Sequence, residues 1–600
     1  MAERERPIEV AVIGGGCAGM AAAFELTRPE HGGRYHVTVY QQGWRLGGKG
    51  ASGRGPADRI EEHGLHLWLG YYENAFRLMR ECYAELDRDP ESCPVATWRD
   101  AFFPDAHVAL ADQRSDGSWI NWAAFFPPSA GEPGDPLDQQ NPYSVQGYLT
   151  RTAELVVELL RSIQVRQGAA RERDPDPAES ASAPTLESLV DSVFRVVGLG
   201  QLATLTAVRE AAGLLAAIVH QLPLFPKNLA LRLLDAVASN THRLLGDLLS
   251  RDDELRRLWA VLDMLLACIR GSIRFGLTTD PRGFDAIDDY ELLDWLRLNG
   301  ASEMALESNF VRGLYDLGFA YENGDTSRPA MAAGVGLRGT VRMFFTYRGA
   351  LFWKMRAGMG DVVFAPFYEV LRRRGVTFRY FHRLERMRLA DPGSVGPGER
   401  RHVEALELDV QAEIAGGGEY EPLVDVRGLP CWPARPDYGQ LVDGERLESE
   451  GVAFESFWDR RRVGTRTLRV GEDFDLVVLA VGGAAVPHVA GELIEANEKW
   501  RRMAEHMTTT ATQAFQLWMS AEMKELGWDR PPVNLSGFVE PFDTWADMRQ
   551  LIPEESWEGS VKSISYFCSS LRTEGARRPG RRAPIPPRCG SGSAATPSAS

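Results

Sequence analysis

Two glycine-rich stretches and a pair of histidines carry the residues whose types and spacing suit chemistry. The first stretch is Gly14-x-Gly16-x-x-Gly19. In such a unit Gly14 permits a tight turn, and Gly16 lets backbone approach a pyrophosphate where a Cβ would collide. Gly19 lets the following helix pack on the strand. The helix start then offers N–H groups and a partial positive charge to phosphates. The second stretch is Arg45-Leu46-Gly47-Gly48-Lys49-Gly50-Ala51-Ser52. Its adjacent glycines can press backbone against a cofactor, and Arg45 and Lys49 can offset phosphate charge. His63 and His66, three apart, could face a cofactor or substrate, or simply pack. A metal would need a third ligand, and none is apparent, so no metal site is expected. Gln41 stands where an acidic residue would accept ribose hydroxyls. Its carbonyl can still accept one such bond without charge, and Gln42 is the alternative.

The first motif is weak evidence alone and gains weight from its surroundings. Ile8–Ile13 is an apolar, β-branched run that reads as a buried strand. Gly14-Gly15-Gly16 breaks it, Cys17–Leu26 reads as a helix and Tyr35–Tyr40 as a second strand. That is a βαβ unit within about 35 residues. Further along, Leu67–Leu86 reads as helix and residues 87–150 as irregular or partly β. Arg166–Pro184 reads as a polar linker. Leu186 to Arg274 is helical nearly throughout, with Leu186, Leu189, Val190 and Val193 at helical spacing. Helices are expected at Tyr290–Leu298, Glu303–Leu317 and Asp361–Arg374, and a strand at Val376–Tyr380. Residues 403–411 and 466–470 suggest a meander. Asp475–Val481 reads as a strand buried on both faces.

Bulk properties narrow the classes. The chain has 600 residues, 44% hydrophobic and 25% charged, which suits a multidomain globular protein. A formal net charge of −16 argues against a general nucleic-acid binder. Seven cysteines without a CxxC pair argue against a disulfide framework or zinc site and fit a reducing cytoplasm. Residues 3–6 mix both charge signs, so no signal peptide is read. No stretch reaches the roughly 18 apolar residues of a membrane span. HExxH, GxSxG and Walker sequences are absent.

The segments VAVIGGGCAGMAAAFEL, VTVYQQGWRLGGKGAS and EEHGLHLWLGYYENAFRLMREC resemble the amino-terminal part of the flavin amine oxidase superfamily, in its phytoene and carotene desaturase branch. AGMGDVVFAPFYEVLRRRGVTFRY, DFDLVVLAV and ATQAFQLWM continue the resemblance, which touches about 1–85, 284–385 and 470–568 but not the helical segment 186–274. It implies an extended FAD with its pyrophosphate at the first glycine turn. It also implies that Gly64 abuts the isoalloxazine, and that Val376 and Phe378 flank the adenine through backbone. The family usually closes its flavin site with a GD…G…GA…SG segment, and nothing in Ser569–Ser600 matches it. Two expectations stay open: an out-of-frame or truncated end with the motif further on, or a disordered tail on a diverged protein.

The fold expected is α/β: a discontinuous FAD-binding Rossmann-like domain (1–85 and 351–485), with a mixed α+β substrate domain and a helical insertion. The substrate domain covers 86–350, with the insertion at about 186–274, returns at 486–568, and is followed by the tail 569–600. The function expected is an FAD-dependent oxidoreductase that removes hydride from an apolar, isoprenoid or carotenoid-like substrate. A flavin amine oxidase and a non-catalytic dinucleotide-binding relic are the alternatives. The aromatic runs Trp119–Phe126 and Phe344–Trp353 could line an apolar tunnel or form plain core. The helices of 186–274, with Arg195, Arg209, Arg232 and Arg243, could dock peripherally on a membrane or pack as a core.

Overall fold

The computed structural model describes residues 6–114, 117–136, 144–166, 189–193, 204–222, 224–396 and 400–573. Apart from Arg166, the linker read at Arg166–Pro184 lies outside them, as does the tail beyond Thr573. The chain divides into two compact units: 1–140, 316–319 and 342–571 form one, and 141–315, 320–341 and 572–600 the other.

The first unit is organised by a four-stranded parallel sheet. Its order is Thr377–Arg379, β2 (Tyr35–Tyr40), β1 (Ile8–Ile13) and Leu476–Leu479. Alternation along β1 feeds two cores. Val10 and Val12 pack on one side, with Met20, Phe24 and Val39. Ala11 and Ile13 pack on the other, against Leu384, Leu406 and Leu468 of an antiparallel meander. Ile13 pairs with both Tyr40 and Leu479, and Tyr40 with Arg379, so the four carboxyl ends finish level. In open parallel sheets that edge is where ligands bind. The helix α1 (Cys17–Leu26) lies between β1 and β2, at the bounds its sequence predicts.

Three expectations need correction. Leu67–Leu86 is not one helix: Trp68–Leu69 pairs with Phe352–Trp353, and the helix starts at Glu73. Gly70 fits tightly between these, since a Cβ there would stand 2.1 Å from the Ala350 carbonyl oxygen. The apolar run Asp475–Val481 forms the edge strand Leu476–Leu479, whose residues are exposed or only partly buried rather than buried on both faces. Val478 joins one core and Val477 and Leu479 the other, but Leu476 remains 51% exposed because no described strand lies beyond it. The meander also has a strand that was not expected, His382–Leu389, beside Val403–Val410 and Gly464–Arg469. Its sequence HRLERMRL is polar enough to read as loop. Phe352 and Trp353 are core residues.

A six-stranded sheet completes this unit. Its order is Thr512–Met519, Ser563–Ser570, Thr544–Asp547, Asn534–Ser536, His107–Gln113 and Trp119–Phe125.

The second unit is helical. Val145–Arg166, Leu205–His220, Lys227–Leu245 and Asp253–Phe275 enclose one apolar core that includes Leu189, Val193, Leu215, Leu233, Trp259 and Leu266. Thr204 caps one helix through the Ala207 N–H, and Asp252 caps another through the Glu254 and Leu255 N–H groups. The apolar stripes of the insertion are therefore largely buried in its own core. Among the described residues no helix is long and apolar enough to cross a membrane, and no cluster of three metal-ligating side chains occurs.

Candidate dinucleotide site

The site is built at the level carboxyl edge of the parallel sheet. β1 stops at Gly14, whose φ is +102° and whose added Cβ would stand 2.6 Å from the Ala480 carbonyl oxygen. A Cβ on Gly19 would stand 2.0 Å from the Gly14 carbonyl oxygen. Strand and helix touch backbone to backbone there, so the fold itself demands both glycines. Gly16 differs. Its backbone is extended (φ −79°, ψ −172°), a conformation any residue adopts. A Cβ there would meet nothing nearer than the Gly47 carbonyl oxygen at 3.8 Å. Packing does not require glycine at 16. Its missing side chain keeps bare the surface at the start of α1, whose first turn has neither a side-chain cap nor an acidic residue. Cys17 and Ala18 are exposed there. Free N–H groups and the helix dipole there can attract an anion.

The second glycine stretch lies against the first. The Gly47 N–H donates to the Gly15 carbonyl at 2.9 Å. Gly48 and Lys49 are exposed beside Gly16, with the Gly48 Cα 3.9 Å from the Gly16 Cβ position. Arg45 is buried and turned away into a bidentate pair with Glu455, at 2.8 and 2.7 Å. Its charge is already balanced by a carboxylate. Gln41 uses its side-chain carbonyl to accept the Gly15 N–H at 2.7 Å and donates to the Gln42 carbonyl at 2.5 Å. It shapes the turn and keeps one lone pair of that oxygen for a further donor. Val376 is buried in the core, and its N–H donates to the Leu371 carbonyl at 2.9 Å. The structure thus brings Gly14, Gly16, Gly19, Gln41, Gly47, Gly48 and Lys49 together. It gives Arg45 and Val376 partners within the protein.

A short hairpin links this cradle to the histidines. Ser52–Arg54 pairs with Ile60–Glu62, Ser52 opposite Glu62. The Glu62 carboxylate, nearly inaccessible, contacts His66 Nδ1 at 2.8 Å and accepts the Met359 N–H at 2.8 Å. Burial alone would lower the His66 pKa, but the Glu62 charge and hydrogen bond and a Lys49 backbone hydrogen bond outweigh it and raise it. His63 shifts the other way: partial burial, then the Arg45 charge, lower it. A Cβ on Gly64 would meet nothing within 4 Å. One face of the six-stranded sheet supports the same segment. Gln516 donates to the Glu62 carbonyl at 3.0 Å and the Tyr566 hydroxyl to the Ile60 carbonyl at 3.1 Å. Beneath the hairpin, Arg54 and Asp361 form a buried ion pair at 2.8 Å. Burial pushes the Asp361 carboxyl up against the pull of Arg54.

Sequence reasoning missed Glu62, Met359, Glu455, Gln516 and Asp361. Glu62 left a signal, standing four residues before His66. Glu455 lies 410 positions from Arg45, and nothing local announces that pairing.

This strand, glycine turn and helix on a parallel sheet have the Rossmann-like arrangement. Residues 12–82 match the family model of the NAD(P)-binding Rossmann-like domain. The zeta-carotene desaturase of Capsicum annuum is 40% identical over 78 residues, 13% of this chain and 13% of that protein. The same desaturase of Arabidopsis thaliana is 40% identical over a segment of the same length. The alignable segment thus spans about an eighth of these curated relatives. An oxidoreductase from Methanosarcina mazei is similar in structure at a TM-score of 0.39 and 10% identity, over 94% of this chain and 79% of that one. Putrescine oxidase is similar at 0.40 and 10%, over 94% and 76%.

Proposed function

We propose that the chain binds FAD along the edge from Gly16 through Gly48 to Gly64 and oxidises an apolar, isoprenoid or carotenoid-like substrate. The observation that carries the cofactor reading is Gly16. The fold tolerates a side chain there, yet the position is bare, facing an uncapped helix start and a second glycine loop. A pyrophosphate fits that arrangement, with the α1 N–H groups and Lys49 as its partners. When bound, the flavin supplies the oxidation by taking a hydride from a substrate carbon. The chain supplies the seat: Gly14 and Gly19 fix the turn, Gln41 holds it, and the His63–His66 segment presents an open surface at Gly64. The substrate class rests on the 78-residue similarity to zeta-carotene desaturases. The cysteines free among the described residues suit a reducing cytoplasm, and an apolar substrate suits peripheral contact with a membrane.

The test is anaerobic mixing of the FAD-loaded protein with zeta-carotene in detergent micelles, and separately with a primary amine. Bleaching of the flavin by the polyene alone is expected. Bleaching by the amine alone would transfer the protein to the amine oxidases. An FAD-loaded protein bleached by neither would contradict the substrate reading.

A further inference from the structure

The helical unit holds a cavity of about 410 Å³, lined from the helices Lys227–Leu245 and Asp253–Phe275. That volume is within the range of small-molecule sites. Asp235 and His242 come from the first helix, Trp259, Asp263 and Arg270 from the second, and Ser302 is a further lining residue. Asp263 is 6% exposed, yet among the described residues no cation pairs with it. It accepts the Ser302 N–H at 2.7 Å. A carboxylate taken out of water without a counter-charge is destabilised, so a positive charge is favoured beside it. Arg270 is engaged elsewhere: its guanidinium donates to Asp235 at 3.0 Å and to the Asn299 carbonyl at 2.5 Å. Two carboxylates and one guanidinium leave one negative charge on the cavity wall. A metal ion would call for a third ligating side chain, and no such cluster occurs among the described residues.

The second unmet group is an indole. Trp259 stands one turn before Asp263, on the same face of its helix. Its ring lies 5.4 Å from that of His242, and its buried N–H has no acceptor among the described residues. Buried donors are nearly always paired. The cavity therefore presents a carboxylate without a cation and, one helical turn away, a donor without an acceptor. We propose that it binds a small amino alcohol, whose ammonium pairs with Asp263 and whose hydroxyl oxygen accepts the Trp259 N–H. Asp235 and His242 are exposed and form the entrance. All the lining residues belong to the helical unit, so the site does not depend on the FAD reading.

Titration of the full chain with ethanolamine, followed by ligand-observed NMR, tests the assignment, with ethylamine as the analogue that has no oxygen. Ethanolamine is expected to saturate with a dissociation constant of about 1 mM, within reach of four non-hydrogen atoms. Ethylamine should bind about fivefold more weakly, the effect of one hydrogen bond. Asp263→Asn keeps an acceptor for the Ser302 N–H but removes the charge, and should weaken ethanolamine about tenfold or more. Trp259→Phe should bring ethanolamine to the level of ethylamine, whose own binding should not change. If that variant does not fold, Asp263→Asn and the pair of amines decide. No saturable binding of ethanolamine by wild type, or equal binding by a folded Asp263→Asn, overturns the site. Equal affinity of wild type for the two amines overturns the amino alcohol as its ligand.

Discussion

The two glycine stretches that meet at the sheet edge use the same residue for opposite ends. In Gly14–Gly19 the first and last glycines are demanded by the protein, because strand, helix and the chain at Ala480 touch backbone to backbone. Gly16 and Gly48, where the stretches face each other, leave space. A Cβ on either would meet no protein atom nearer than 3.5 Å. The cations differ in the same way. Arg45 is buried and paired with Glu455, whereas Lys49 is exposed. Gly48 still answers to the backbone, whose φ of +56° favours glycine, so Gly16 is the position whose bareness the fold does not explain.

Substitutions can break this distinction, beginning where the fold is most exacting. Arg54→Met leaves Asp361 buried and unpaired beneath the hairpin and is expected to cost about 3–5 kcal/mol in chemical denaturation. The double variant with Asp361→Leu should recover most of that loss, and additive losses would contradict the pairing. Gly19→Ala drives a methyl into the Gly14 carbonyl and should cost about 3 kcal/mol, with cofactor binding lost through the distorted turn. Arg45→Met should lower stability by about 1 kcal/mol while changing FAD affinity little, because Glu455 already balances its charge. The smallest stability effect belongs to Lys49→Gln, within about 0.5 kcal/mol, yet here FAD affinity should fall several-fold. If Arg45→Met weakened FAD more than Lys49→Gln, the two cations would have to exchange roles.

Much of this frame was legible because it is local. β1, α1 and β2 are written in consecutive residues, and hydrophobic period and glycine breaks mark their ends. The helices Leu205–His220, Lys227–Leu245 and Asp253–Phe275 were legible for the same reason, whereas Val145–Arg166, whose first turn was read as irregular, was not. What escaped depends on distant partners. The polar strand His382–Leu389 is a strand because Val403–Val410 pairs with it. Trp68–Leu69 leaves the helical pattern because Phe352–Trp353 captures it. At the site, the glycine turn could be read, but not that Arg45 would turn to a carboxylate 410 residues away, nor that Gln41 would bind the Gly15 N–H. The sequence shows which side chains carry charge; only the fold shows which of them already have partners.

The most direct test of the central claim is Gly16→Val. The backbone at 16 is extended and a Cβ there would meet nothing nearer than 3.8 Å, so the variant should still fold, losing about 1 kcal/mol from the weaker helix cap. Titration with FAD, followed by flavin fluorescence, should show saturable one-to-one binding by wild type and none by Gly16→Val. No binding by wild type, or equal binding by a fully folded Gly16→Val, would contradict the assignment of this edge as a dinucleotide seat.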